Sequence, residues 1–118
     1  MQINQGDIYW IRPNSETPTQ LGQHPHPYVV IQDDLFNHSR VHTVIVCALS
    51  TNLQHANKYG NVLLERGEAS LPQQSVVIVS KVSSVKKAQL GNYIGTLTND
   101  RVAQILAGMR MLQRSFSK

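Results

Sequence analysis

Residues 28–49 read YVVIQDDLFNHSRVHTVIVCAL: two apolar, largely β-branched runs separated by a polar stretch. Tyr28–Gln32 and Thr43–Leu49 show little polar/apolar alternation, so each reads as a strand covered on both faces. Asp33–Arg40, with Asn37 and His38, supplies turn formers between them. On the N-terminal side, Gly6–Arg12 (GDIYWIR) reads as a first strand, with Ile8, Trp10 and Arg12 sharing a face by the period-of-two rule. Pro13–Pro27 holds four of the five prolines together with Asn14, Ser15 and Gly22. It reads as a long exposed loop, a class of segment that is usually functional or mobile. Downstream, Asn61–Leu64 and Ser75–Val79 read as strands joined by polar sequence around Gly67 and Pro72. Val85–Leu90 reads as one short helical turn and Tyr93–Leu97 as another strand. The clearest helix comes last. Thr98 or Asn99 caps it, and Val102, Ile105, Leu106, Met109 and Leu112 form one apolar stripe facing the core. Short strands closed by one helix predict a mainly β fold, a small and highly curved antiparallel barrel or half-barrel with the helix packed on it.

The 118 residues fit one domain, 1–118, without an internal repeat. Hydrophobic residues make up 41% and charged residues 15%, which excludes a disordered tail and a coiled coil. No apolar run approaches the ~18 residues of a membrane span, and the chain opens without a basic-then-apolar leader, so a cytoplasmic protein is expected. Cys47 is the single cysteine and has no internal disulfide partner. The formal charge of +4 is uneven. From Lys81 onward seven basic residues stand against Asp100 alone, while the first 80 residues sum to −2. Such asymmetry can steer a polyanion, because basic groups release the counterions condensed on phosphates. A solvated terminal helix has the same composition, so charge permits a nucleic-acid partner without naming one.

Among the five histidines there is no His-Glu-x-x-His pair or other zinc spacing, and neither a metal nor a cofactor is expected. His24 and His26 are more informative, since Pro25 and Pro27 restrict the backbone around them where the long loop enters an apolar strand. Histidine's ordinary pKa lies nearest neutrality, so a histidine projecting into a cleft can give or take a proton; an exposed loop histidine without a role is the plainer reading. Ser50, Thr51 and Asn52 follow the second apolar run, as turn formers or as donors to a phosphate oxygen. Lys81, Lys86 and Lys87 with Ser83 and Ser84 make a basic, hydroxyl-rich patch, and Tyr9, Tyr59 or Tyr93 could stack on a base.

Taken in order, the opening GDIYWI, Gln20-x-Gly22, His26-Pro27-Tyr28-Val29-Val30, Thr43–Leu49 running into Ser50-Thr51-Asn52, Ser75-Val76-Val77, Gly95-Thr96-Leu97 and the final helix resemble the MazF/PemK family of toxin endoribonucleases, from about Gly6 to Leu112. The resemblance implies an SH3-like barrel of the CcdB/PemK type, a homodimer, and metal-independent cleavage of single-stranded RNA at short sequences. It also implies a cognate antitoxin whose extended tail occupies the RNA groove. The departures fall on the chemistry. An Arg-Pro pair usual in the family, whose arginine acts on the scissile phosphate, is here His26-Pro27; Ser50 stands at the likeliest position of its threonine, with Thr51 beside it. Where the family tends to carry Gln, Arg-Thr and Asp-Lys, this chain has Lys81, Ser83-Ser84 and Lys86-Lys87. Serine keeps the hydroxyl, but histidine keeps neither the fixed charge nor the bidentate fork of arginine.

Two outcomes follow. In the active one, His26, Ser50 and Thr51 are catalytic, Lys81 or Lys86 restores the lost charge, and His24, Gln20 and Asn52 contact RNA. In the other, the groove binds RNA or antitoxin and cuts nothing. A third reading comes from the CcdB-like toxins, which put the same barrel to use against DNA gyrase through a dimer surface and an exposed C-terminal helix.

Overall fold

A computed structural model of the chain describes residues 2–12 and 25–116. Six strands, β1 (Asp7–Ile11), β2 (His26–Val30), β3 (Thr43–Ser50), β4 (Val62–Leu64), β5 (Ser75–Lys86) and β6 (Leu90–Thr96), form one antiparallel sheet in the order β4-β5-β3-β2-β1-β6. A four-residue helix, α1 (Asp34–Asn37), follows β2, and α2 (Asn99–Phe116) ends the chain. The expected mainly β fold with a closing helix is what the chain adopts. Its sheet is open: β4 and β6 stand at the two edges and do not pair with each other.

Both faces of the central strands are covered, which is why their sequences are continuously apolar. One face carries Ile8, Val29, Cys47, Leu49, Val77 and Val79, and Val102, Ile105 and Met109 of α2 pack on it. Tyr9, Ile11, Val30, Val44 and Val46 make a second cluster with Ile3 on the other face, joined by Tyr28, Val85 and Leu90. Trp10 is only half-buried, whereas Tyr9 and Ile11 are sequestered, so β1 buries both of its faces. Asp7 is buried as well. Its carboxylate accepts from the Asn4 N–H at 2.9 Å, the Thr96 hydroxyl at 2.6 Å and the Tyr9 hydroxyl at 3.3 Å, which satisfies a charge too costly to bury alone. Burial and then the adjacent Asp7 push the Tyr9 phenol up to about 12.

The Thr98 hydroxyl caps α2, accepting the Arg101 N–H at 3.3 Å. The stripe seats through Val102, Ile105 and Met109, while Leu112 is exposed. An 18-residue helix is about 27 Å long. Three local differences from the sequence reading have physical causes. The turn after β2 winds into α1 because the Asp33 side chain accepts the Leu35 N–H at 2.8 Å. Val85 and Lys86 remain in β5, and only Lys87–Gln89 form a 3-10 turn, because β3 pairs with them. β2 begins at His26 rather than Tyr28, since Ile11 and Trp10 pair with His26 and Pro27. The long loop read from the prolines lies, up to residue 24, outside the described residues. Among the described residues no helix is long and apolar enough to cross a membrane.

Candidate active-site cleft

β2 and β3 pair with Tyr28 opposite Ala48, Val29 opposite Cys47 and Val30 opposite Val46. Carried two residues further, this register sets His26 against Ser50, and the period of two puts both on the face of Tyr28 and Ala48. The ladder with β3 starts only beyond Pro27, which has no N–H to donate, and a cleft occupies the strand ends instead.

Lys81 arrives through an irregularity in β5. Between the pairs Cys47–Val82 and Leu49–Val77, four residues of β5 (78–81) face the single Ala48. Such bulges re-aim side chains. This one is pinned on both sides: the Cys47 thiol donates to the Ile78 carbonyl at 2.9 Å, and the Asn61 side-chain oxygen accepts the Val79 N–H at 3.1 Å. The cleft, about 420 Å³, is lined by His26, Tyr28, Ser50, Thr51, Ile78 and Lys81 among others, and among the described residues no carboxylate lines it. His26, Thr51 and Lys81 are exposed and Ser50 is half-buried. Ser50 Oγ accepts the Asn52 N–H at 3.1 Å, which leaves its own proton to be donated into the cleft. An imidazole, two hydroxyls and an ammonium therefore face one space, a set able to move a proton and to stabilise an anionic oxygen.

Residues 4–112 match the family described as PemK-like, MazF-like toxin of type II toxin-antitoxin system. The chain belongs to this toxin family. It is 31% identical over 110 residues to the endoribonuclease MazF2 of Mycobacterium bovis, spanning 93% of this chain and 96% of that one. Among solved structures, a mycobacterial endoribonuclease in complex with its cognate antitoxin superposes with a TM-score of 0.69 at 16% identity, covering 93% of this toxin and 91% of that chain. A MazE-MazF structure from Deinococcus radiodurans gives 0.70 at 14% identity, covering 96% of both.

Of the residues singled out from the sequence of the toxin, His26, Ser50, Thr51 and Lys81 come together. Asn52 lies just outside, its side chain occupied in capping the 3-10 turn Leu53–Asn57 through the Gln54 N–H at 3.1 Å. Lys86 pairs with Thr43 at the far end of β3, roughly 16 Å along the strand from Lys81, and does not line the cleft. Gln20 and His24 lie outside the described residues. Tyr28, Ile78 and the two residues that pin the bulge escaped sequence reasoning. The one available signal was the polar pair Ser80-Lys81 interrupting an otherwise apolar run. Among the described residues no three of His, Cys, Asp and Glu gather as a metal would need.

Proposed function

We propose that this toxin is an endoribonuclease that cleaves single-stranded RNA at preferred short sequences, without a metal, in the cleft at the ends of β2 and β3. The convergence of His26, Ser50, Thr51 and Lys81 on one cleft carries the reading. The ribose 2′-hydroxyl attacks the adjacent phosphorus and the bond to the 5′-oxygen breaks, leaving a 2′,3′-cyclic phosphate and a 5′-hydroxyl. His26 transfers the proton at one of those two oxygens, a contribution of about 10²–10⁴-fold. Ser50 or Thr51 donates to a non-bridging oxygen, and the Lys81 ammonium offsets the developing charge. Lysine is a point charge without a planar fork, so charge and proton transfer are divided here between Lys81 and His26. Asn52, Lys86, Gln20 and His24 are assigned to the strand beyond the scissile bond. A cognate antitoxin is the protein partner, as it is for the mycobacterial endoribonuclease solved with one; on this reading it covers the same cleft, and the toxin acts as a homodimer.

The test is incubation of the purified protein with a long single-stranded RNA in EDTA, followed by sequencing of new 5′ ends. Sequence-biased cuts are expected, abolished in His26→Ala and slowed roughly tenfold or more in Ser50→Ala. Cutting by His26→Ala at the parent rate removes that residue from the mechanism, and RNA that stays whole overturns the reading.

A further inference from the structure

On the other side of Tyr28 from the cleft lies a second depression, about 330 Å³, lined by Arg12, Tyr28, Ser83, Ser84 and Gln89 over an apolar floor. Tyr28 is common to both hollows, so they are neighbours along one surface. Among the described residues, every polar side chain here can donate a hydrogen bond and no carboxylate lines the hollow. Gln89 is oriented by its partner: its side-chain oxygen accepts the Lys86 N–H at 2.8 Å, which a backbone donor requires, and this leaves the amino group to donate outward. Arg12 is exposed, and among the described residues the one ion pair is Arg101–Glu68, so its guanidinium meets no acid there. A planar cationic fork beside an amide donor and two hydroxyls is complementary to phosphate oxygens, which accept without donating.

We infer that this hollow is a second nucleotide subsite, in which Arg12 and Gln89 hold the phosphate next to the scissile one as the strand passes Tyr28. The inference rests on the proposed RNA-cleaving function and adds a positioning residue just past the end of β1, remote from the proton-transfer step. Arg12 was read from the sequence only as a strand-face residue. Its role follows from the approach of β1 to the end of β5, which no local motif announces.

The measurement is binding of a single-stranded oligonucleotide carrying 2′-O-methyl riboses throughout, which has no 2′-hydroxyl to attack, over a range of salt concentrations. Arg12→Gln should weaken binding roughly tenfold at low salt and flatten the plot of log affinity against log salt by about 0.7, the share of one phosphate contact on a single strand. Arg12→Lys should restore the slope. Gln89→Glu keeps the oxygen that accepts from Lys86 but replaces the outward donor with a negative charge, so it should weaken binding with the fold intact. Wild-type affinity and slope in Arg12→Gln overturn the subsite while leaving the cleavage proposal standing. Failure of the parent protein to bind the oligonucleotide at any salt overturns both. Loss of affinity for an acidic peptide, with oligonucleotide binding unchanged, assigns the hollow to a protein partner and overturns the nucleotide reading.

Discussion

Cys47 illustrates how a reactive side chain becomes a structural one. It is fully buried at the centre of β3, its thiol donates to the Ile78 carbonyl, and burial pushes its pKa up to about 12. The thiolate is the nucleophile, so almost none is available at neutral pH. Native protein should therefore resist iodoacetamide at pH 7.5 and be alkylated once unfolded in urea; rapid labelling of the folded chain, followed by intact-mass spectrometry, would contradict this placement. The same contact helps to hold the bulge that brings Lys81 to the cleft, a link invisible in the sequence, where Cys47 and Ile78 are 31 positions apart. Ser50 was legible by contrast, because a hydroxyl directly after an apolar run marks a strand end. His26 was legible as a candidate but was assigned to a loop: the proline after it suppresses a strand reading, and only pairing with Ile11 restores one.

At the scale of elements, the long apolar runs were readable because burial on both faces leaves a continuous pattern. β5 was readable only to Val79. Beyond the bulge its residues are largely exposed and polar, so the ladder with β3 rather than composition keeps them extended. The α2 stripe identified the face that meets the sheet, yet it missed a close backbone approach of that helix to the segment before β4. A Cβ on Gly108 would lie 2.1 Å from the Gly60 carbonyl oxygen, so backbone meets backbone there. Gly→Ala inside a helix ordinarily gains about 1 kcal/mol. Here the sign should reverse: Gly108→Ala must push α2 off the β4 side of the sheet, at a cost of roughly 2–4 kcal/mol. Urea unfolding would show this as a lowered midpoint, and a stabilised variant would mean that the two backbones are not in contact.

Across the whole molecule, the open sheet is bridged rather than closed by hydrogen bonding. The segment after β4 turns through the 3-10 turn Glu68–Ser70, with Ala69 and Ser70 at φ of 48° and 61°, and lays the Ala69 carbonyl against β6 where any Cβ on Gly95 would sit 2.0 Å away. Two non-glycine residues in the left-handed region cost free energy, so something must hold the bridge in place. The Arg101 guanidinium does so from α2, donating to both Glu68 carboxylate oxygens at 2.9 and 2.8 Å, while the Glu65 N–H donates to the same carboxylate at 2.6 Å. The hydrogen bonds from Arg101, more than any other influence, hold the Glu68 carboxyl below its ordinary range. A pKa depressed on folding contributes stability that is present above the unfolded-state value and lost as pH falls through the folded-state value. Both side chains are about a quarter exposed, at 26% each, so solvent screening limits the pair to about 1 kcal/mol or less at neutral pH. Arg101→Met keeps an aliphatic stem over the bridge and removes the cation. Its urea midpoint should fall below that of the parent at pH 7 and converge with it at acid pH, once Glu68 is protonated in both. A gap that stays constant down to acid pH would mean that Arg101 stabilises α2 by packing alone, and that the strained bridge between the sheet edges is held by Gly95 and the core rather than by charge.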